Sequence, residues 1–421
     1  MIKKKKIGQK KKIAFVCSGG AAKAGAFHLG VALALQEHGF KFYGGLREKD
    51  QATHQPGPMD ISTYVGSSAG SIISSYLASG YSLENIFNSF LQKKSADEKD
   101  NIPKTLPRMT YQKMFNLTSD SAATQIKELL KVRKIISKVV QGGWESLVGL
   151  KWLQTNGLFS TAGIENYLNN EVLPSNQFED YLADLFIVAT QLNHSRKVVF
   201  GKYHYEPPPN DLTCQYSREA SISQACAAST ALPFIFAPYG IEGKNKEKTY
   251  YIDGEIRDTL SSHVAVDAGA DLIFASYTHQ PYHMSEKIGS LTEHGLSSIL
   301  VQSIYLLVEQ KINNQIHNKK TQRNAIDAVS HYCKKEGLEE EHRKQICSIL
   351  EAELHHRMNV DWVYIHPKPS DSKMFIREHF SLAPKKMEEI VKSGFKAALD
   401  VLRHYNFDEL EASDKTTELT K

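Results

Sequence analysis

An α/β fold around a mostly parallel sheet, with helical insertions, is the class this sequence predicts. Two observations lead there. β-rich runs alternate with helix-forming runs from the first strand onward, the rhythm of a layered sheet whose crossovers are helices. In addition, two early junctions, "CSGGAAKAG" (17–25) and "GSSAG" (66–70), compress a strand-to-helix turn into small residues.

Taken in order, seven lysines lie among the first twelve residues (Lys3 to Lys6 and Lys10 to Lys12), and 1–11 reads as a basic disordered arm. "KIAFVCS" (12–18) is the first strand, and "AGAFHLGVALALQEHG" (24–39) is a run of helix formers closed by Gly39 as a C-cap. "STYVG" (62–66) is a second strand, followed by the helix-forming "SAGSIISSYLASG". Further strands are expected at 184–192, 197–203, 248–253, 271–277 and 361–367. Residues 94–112, polar and punctuated by proline, read as a loop. Thr118 to Leu153 reads as a pair of basic amphipathic helices, and about 291–358 as a charged helical insert. The expected organisation is therefore one domain over 12–405, with a core at 12–280, the insert, and a final strand and helix at 361–405. A disordered tail follows at 406–421.

With 421 residues, core size does not restrict the fold. Hydrophobic residues at 41% and charged residues at 23% are ordinary for a globular chain, and no apolar run reaches the roughly 18 residues a membrane span needs. No apolar stretch of about 7 to 15 residues stands alone behind the lysines, so a cleaved secretory signal is not expected. Cys17, Cys214, Cys226, Cys333 and Cys347 are odd in number and lack CxxC spacing, which argues for a reducing compartment and against structural zinc. The expected location is cytoplasmic. The lysine arm is either a solvated end or an attachment to anionic head groups.

Gly66-Ser67-Ser68-Ala69-Gly70 fits G-x-S-x-G and lies between a strand and a helix, the context a nucleophile elbow needs. Such a turn strains its central residue and leaves no room for side chains two positions before and after it. Gly66 and Gly70 meet that demand around Ser68, whereas Ser67 has Val65 and Ala69 there, so Ser68 is the candidate nucleophile. In Cys17 to Gly25, small residues ahead of a helix leave backbone N–H groups free to face an anion. G-x-G-x-x-G is not satisfied, because Ala21, Ala22 and Lys23 follow Gly20, and no P-loop signature is present, so an oxyanion hole is the remaining use. The third element is "YYIDGEIRD", in which Asp253 ends a strand and Gly254 permits a tight turn. Strand ends on one edge of a parallel sheet converge, so Asp253 can meet Ser68 across 185 positions of sequence.

These blocks together resemble the patatin-like phospholipases. "SGGAAKAG" corresponds to the family's glycine-rich loop, "GSSAG" to its elbow, "ASTALPFIFAP" (Ala228 to Pro238) to the block before the aspartate, and "DGE" to its Asp-Gly-Gly or Asp-Gly-Ala. The resemblance spans roughly 12 to 280 and more loosely reaches about 405. It implies a three-layer sandwich, a Ser68–Asp253 dyad without histidine, and an oxyanion hole from the backbone amides of Gly19, Gly20 and Ala21. It also implies cleavage of acyl-lipid esters at a peripheral membrane surface, with no cofactor, no metal and no nucleic acid. Two departures stand out. Ala21 replaces a glycine in a loop one residue longer than usual, and Glu255 replaces a small residue beside Asp253.

Other readings accompany this one. Lys23 is either a head-group contact or an ordinary surface residue, and His28, on an apolar helix, reads as a satisfied structural histidine. A classical triad would need His366 in "YIHPKP". The 118–153 segment, with Trp144 and Trp152 as interface anchors, is either a lid or a stripe packed on its own domain. A catalytically silent lipid- or protein-binding scaffold is the remaining alternative.

Overall fold

The computed structural model describes residues 4–47, 55–91, 105–117, 157, 159–203, 213–233, 235–243, 245–284, 289–368, 371 and 380–410. The expected amphipathic pair at 118–153, with Trp144 and Trp152, and the tail from 411 lie outside the described residues. Short strands β1 (Lys5–Lys6), β2 (Ile13–Cys17), β3 (Lys41–Phe42), β4 (Asp60–Ser67), β5 (Asn116–Leu117), β6 (Phe159–Ser160) and β7 (Asp184–Gln191) are followed by β8 (Arg196–Gly201), β9 (Cys214–Ser217), β10 (Tyr239–Glu242), β11 (Lys248–Asp253), β12 (Leu272–Ser276), β13 (Asp361–Ile365) and β14 (Tyr405–Asn406). Among them β7, β4, β2, β12 and β13 lie side by side in that order, all parallel. β3 adds to β4 in parallel, while β8 and β11 both run antiparallel to β7, β9 flanks β8 and β10 flanks β11. β1 pairs with β14 and β5 with β6 in two small separate ladders.

The central strands are continuous apolar runs such as "IAFVC" because both faces of the sheet are covered. Alternate residues serve the two cores. Ile13, Phe15 and Cys17 of β2 join one cluster with α1 (Ala21–Glu37), α2 (Ala69–Ala78), α3 (Leu83–Leu91) and the helix at Pro384–Leu402. Ala14 and Val16 join the other, with Val264 and Ala265 and with Val308 and Ile312 of a long helix at Gly295–Lys335. The result is three layers, as a strand pleat of period two dictates. The remaining helices complete the series: α4 (Tyr111–Met114), α5 (Ala162–Tyr167), α6 (Ile222–Ser229), α7 (Ser262–Asp267), α8 (the long helix), α9 (Glu340–Glu353) and α10 (the helix at Pro384–Leu402).

Two expectations are corrected at the chain ends. The lysine arm is not disordered from residue 4 on: Lys5 and Lys10 hold the two oxygens of Asp361 at 2.7 and 2.9 Å, and Lys12 shares the mostly buried Asp184 with Lys202. The arm is ordered because its ammonium groups neutralise carboxylates at the N-terminal ends of β7 and β13, far from the strand ends where a parallel sheet places its site. Likewise residues 406–410 are ordered, with Phe407 and Leu410 buried in the first core. Removing Asp184 leaves two ammonium groups without their shared partner, so Asp184→Ala is expected to lower unfolding free energy by about 3 kcal/mol in urea titrations.

Candidate active site

One edge of β7 receives two strands end to end. β4 covers Asp184 to Val188 and stops with Ser67 opposite Val188; β11 covers Ala189 to Gln191 and stops with Asp253 opposite Ala189. β8 occupies the other edge of β7. Since β11 is antiparallel, its C-terminal end runs head-on into that of β4. Adjacent rungs of one ladder therefore bring Ser68 and Asp253 together. The parallel convergence expected from sequence is replaced by this collision of opposite strands.

The elbow is built by close backbone contact. Ser68 has φ 50° and ψ −126°, a strained conformation for a residue with a side chain. A Cβ at Gly66 would lie 2.5 Å from the Gly70 carbonyl oxygen, and one at Gly70 would lie 2.2 Å from that of Cys17. Gly254 approaches the Val188 carbonyl equally closely. Ser229, which sequence reading missed, locks the turn: its hydroxyl accepts from the Ser68 N–H at 2.8 Å and donates to the Val188 carbonyl at 2.6 Å. Two residues on, the Ala231 carbonyl accepts from the Asp253 N–H at 3.0 Å. The "AST" block thus ties elbow and base to each other, a role its run of small residues hints at without specifying.

Asp253 is 2% exposed. Burial raises its pKa to about 6, although hydrogen bonds from the Ser68 hydroxyl and the Glu255 N–H favour its ionised form. Glu255 is buried beside it, and its pKa is pushed up to about 8, mainly by burial and further by the charge of Asp253. One oxygen of Glu255, Oε1, accepts from the Gly19 N–H at 2.7 Å and from the Ser67 hydroxyl. The other, Oε2, lies 3.9 Å from Nδ1 of His279.

The glycine-rich loop leaves β2 alongside the elbow and enters α1, with Gly20 at φ 129° and Ala21 at φ 58°. The Thr278 hydroxyl donates to the Gly19 carbonyl at 3.2 Å. His28 holds the preceding residue: its Nε2 donates to the Ser18 carbonyl at 2.8 Å, so Nδ1 accepts from the Ser276 hydroxyl at 2.7 Å. Burial lowers its pKa to about 4, keeping it neutral. Both readings of Lys23 as a surface group are corrected. It is 0% exposed, and its ammonium donates to the Tyr305 hydroxyl of α8 at 3.2 Å. The helical insert covers it.

His366 follows β13, which β2 and β12 separate from β4, so about 14 Å of sheet lies between it and the elbow. Its ring stacks on Tyr277 and its Nδ1 donates to the Pro367 carbonyl. Ala21 and Ala22, by contrast, border an apolar cluster of Met114, Phe115, Phe159, Ile235 and Phe236.

A three-layer α/β domain with a strained serine elbow, a buried carboxyl at the opposing strand end and a glycine-rich helix start defines a hydrolase-like architecture. The family model for patatin-like phospholipases matches residues 15–266, and the chain belongs to that family. Family membership brings hydrolysis of acyl lipids as its general activity. Among the described residues, no helix is long and apolar enough to cross a membrane.

The folded state holds Asp253 less acidic than the unfolded chain does. Its ionisation therefore costs nothing below about pH 4 and costs progressively more as pH rises through 6. Asp253→Asn is expected to raise stability at pH 7 by about 3 kcal/mol, read as a higher thermal midpoint that disappears at pH 4.

Proposed function

We propose that the protein cleaves carboxylic esters of membrane phospholipids or lysophospholipids through a Ser68–Asp253 dyad. The observation that carries this reading is the end-to-end meeting of β4 and β11 on β7, which brings a strained serine onto a buried carboxylate. Asp253 takes the Ser68 proton as Oγ attacks the ester carbonyl carbon. The resulting oxyanion is held by the backbone N–H groups of Gly20 and Ala21 at the positive end of α1, the Gly19 N–H of the same loop being donated to Glu255. Collapse of this intermediate breaks the ester C–O bond, and the departing alcohol takes the proton from Asp253. Water, deprotonated by Asp253, then releases the fatty acid from the acyl-serine.

Two further features support a lipid substrate. The phenylalanine cluster beside Ala21 and Ala22 offers an apolar wall for an acyl chain. Burial of the site also lifts the base toward neutrality, so an apolar pocket and a usable base go together. Lys23, held on Tyr305, acts on the loop helix from inside and has no head-group role.

Release of fatty acid from phosphatidylcholine and phosphatidylglycerol vesicles tests this reading. Ser68→Ala and Asp253→Ala are each expected to reduce release by at least about a thousandfold. His366→Ala is expected to stay within about twofold of the parent, since its ring is remote from the elbow. Equal release by the parent and Ser68→Ala would leave a silent binding scaffold in its place. Because the base must be ionised, kcat/KM is expected to fall about tenfold per pH unit below pH 6.

A further inference from the structure

Glu255 is the residue of the site that the dyad leaves without a role. It stands two positions after the base, where the family has a small side chain, and it is 7% exposed. Its carboxyl lies between the loop and the elbow: Oε1 accepts from the Gly19 N–H at 2.7 Å and from the hydroxyl of Ser67, the neighbour of the nucleophile. The fit is close. A Cβ on Gly19 would fall 2.6 Å from Cγ of Glu255 and 2.8 Å from Cβ of Ser68. An N–H directed at Glu255 is not directed at a carbonyl above Ser68. The N–H groups of Gly20 and Ala21, at the start of α1 and without intrahelical acceptors, remain for that purpose.

We propose that Glu255 is a positioning residue for acyl transfer: its uncharged carboxyl clamps Gly19 to Ser67, assigns the oxyanion to the Gly20 and Ala21 amides, and switches the site off when it ionises. This rests on the hydrolase reading above. The surroundings explain why charge there is harmful. Asp253 and Asp258, on its own segment, are both acidic and both disfavour its ionisation. His279, reaching it from the segment after β12, is neutral, since burial and then the nearby Lys23 ammonium lower its pKa to about 3. The Lys23 ammonium itself is directed at Tyr305 of α8, whose ring packs edge-on against His279. Oε2 of Glu255 and Nδ1 of His279 are both buried without a hydrogen-bond partner. An ionised Glu255 would therefore place a second negative charge beside Asp253, in a dry site where a third develops on the substrate.

The test is a pH profile of kcat/KM on p-nitrophenyl butyrate for the full chain and two variants, with thermal unfolding followed in parallel. The parent is expected to show a bell, with an alkaline limb near pH 8 where Glu255 ionises. Glu255→Gln keeps an acceptor for Gly19 and cannot ionise. It should retain the plateau within about threefold and lose the alkaline limb. Glu255→Ala removes the clamp and should lower kcat about 10- to 100-fold with KM changed less than about threefold. Unfolding distinguishes folding failure from loss of the clamp: Glu255→Gln should abolish the parent's loss of thermal stability between about pH 6 and 8, above the range in which Asp253 contributes, a readout that needs no turnover. An alkaline limb unchanged in Glu255→Gln, or unchanged kcat in Glu255→Ala, overturns the role of Glu255 and leaves the hydrolase reading standing. Absence of turnover in the well-folded parent ends both.

Discussion

Everything at the candidate site depends on β7 having one edge long enough for two strands. β4 and β11 arrive from opposite directions and stop on neighbouring rungs, Val188 and Ala189. No side chain has to reach far, because the ladder itself sets the separation of Ser68 from Asp253. The hydroxyl of Ser229, bonded to the Val188 carbonyl at that junction, fixes the elbow amide to the same point. A hydrogen-bonded backbone is among the stiffest references a fold has, which suits groups that must stay within reach of one proton.

The same junction concentrates acids that the fold would rather not charge. Asp253 and Glu255 are both buried, and both are less acidic than in water. Their environments are unequal. Each receives a serine hydroxyl and a backbone N–H, which moderate the effect of burial, but Glu255 also feels the charges of Asp253 and Asp258. Two carboxyls of one turn are thereby separated into one that ionises first and one that holds its proton longer, the division of labour that acid and base chemistry in a shared pocket requires.

The parts of the molecule readable from sequence are those governed by local sterics. The elbow is one: Gly66 is demanded by the backbone of Gly70 and Ser71 a few residues on, and the G-x-S-x-G spacing points directly at Ser68, although Gly70 itself is demanded by the distant Cys17 carbonyl. Strand and helix alternation is another, since burial on both faces writes itself into runs such as "IAFVC". What depends on pairing across the chain was not legible. The direction of β11 leaves no mark on "KTYYID", because a strand's pattern reads alike in either orientation. The lysine arm looked solvated because its partners, Asp184 and Asp361, lie far along the chain. Lys23 reads as a surface residue for the same reason, as Tyr305 belongs to an insert with no apparent link to the loop. His279 carries no motif of its own, and Ser229 sits in a block whose small residues do not specify its part; both act through strand and helix ends that converge in space.

The route by which the loop is held has a bearing on biosynthesis. β2 and the glycines after it are made well before β12, yet β12 pairs directly with β2, and the Ser276 carbonyl and Thr278 hydroxyl fasten Ser18 and Gly19. That strand lies beyond residue 266, where the family match stops. A nascent chain on the ribosome therefore carries the serine long before it can brace the amides opposite it, and contacts this distant in sequence form late. On the proposed reading, assembly order would keep the emerging polypeptide without a braced site until most of the domain has been translated.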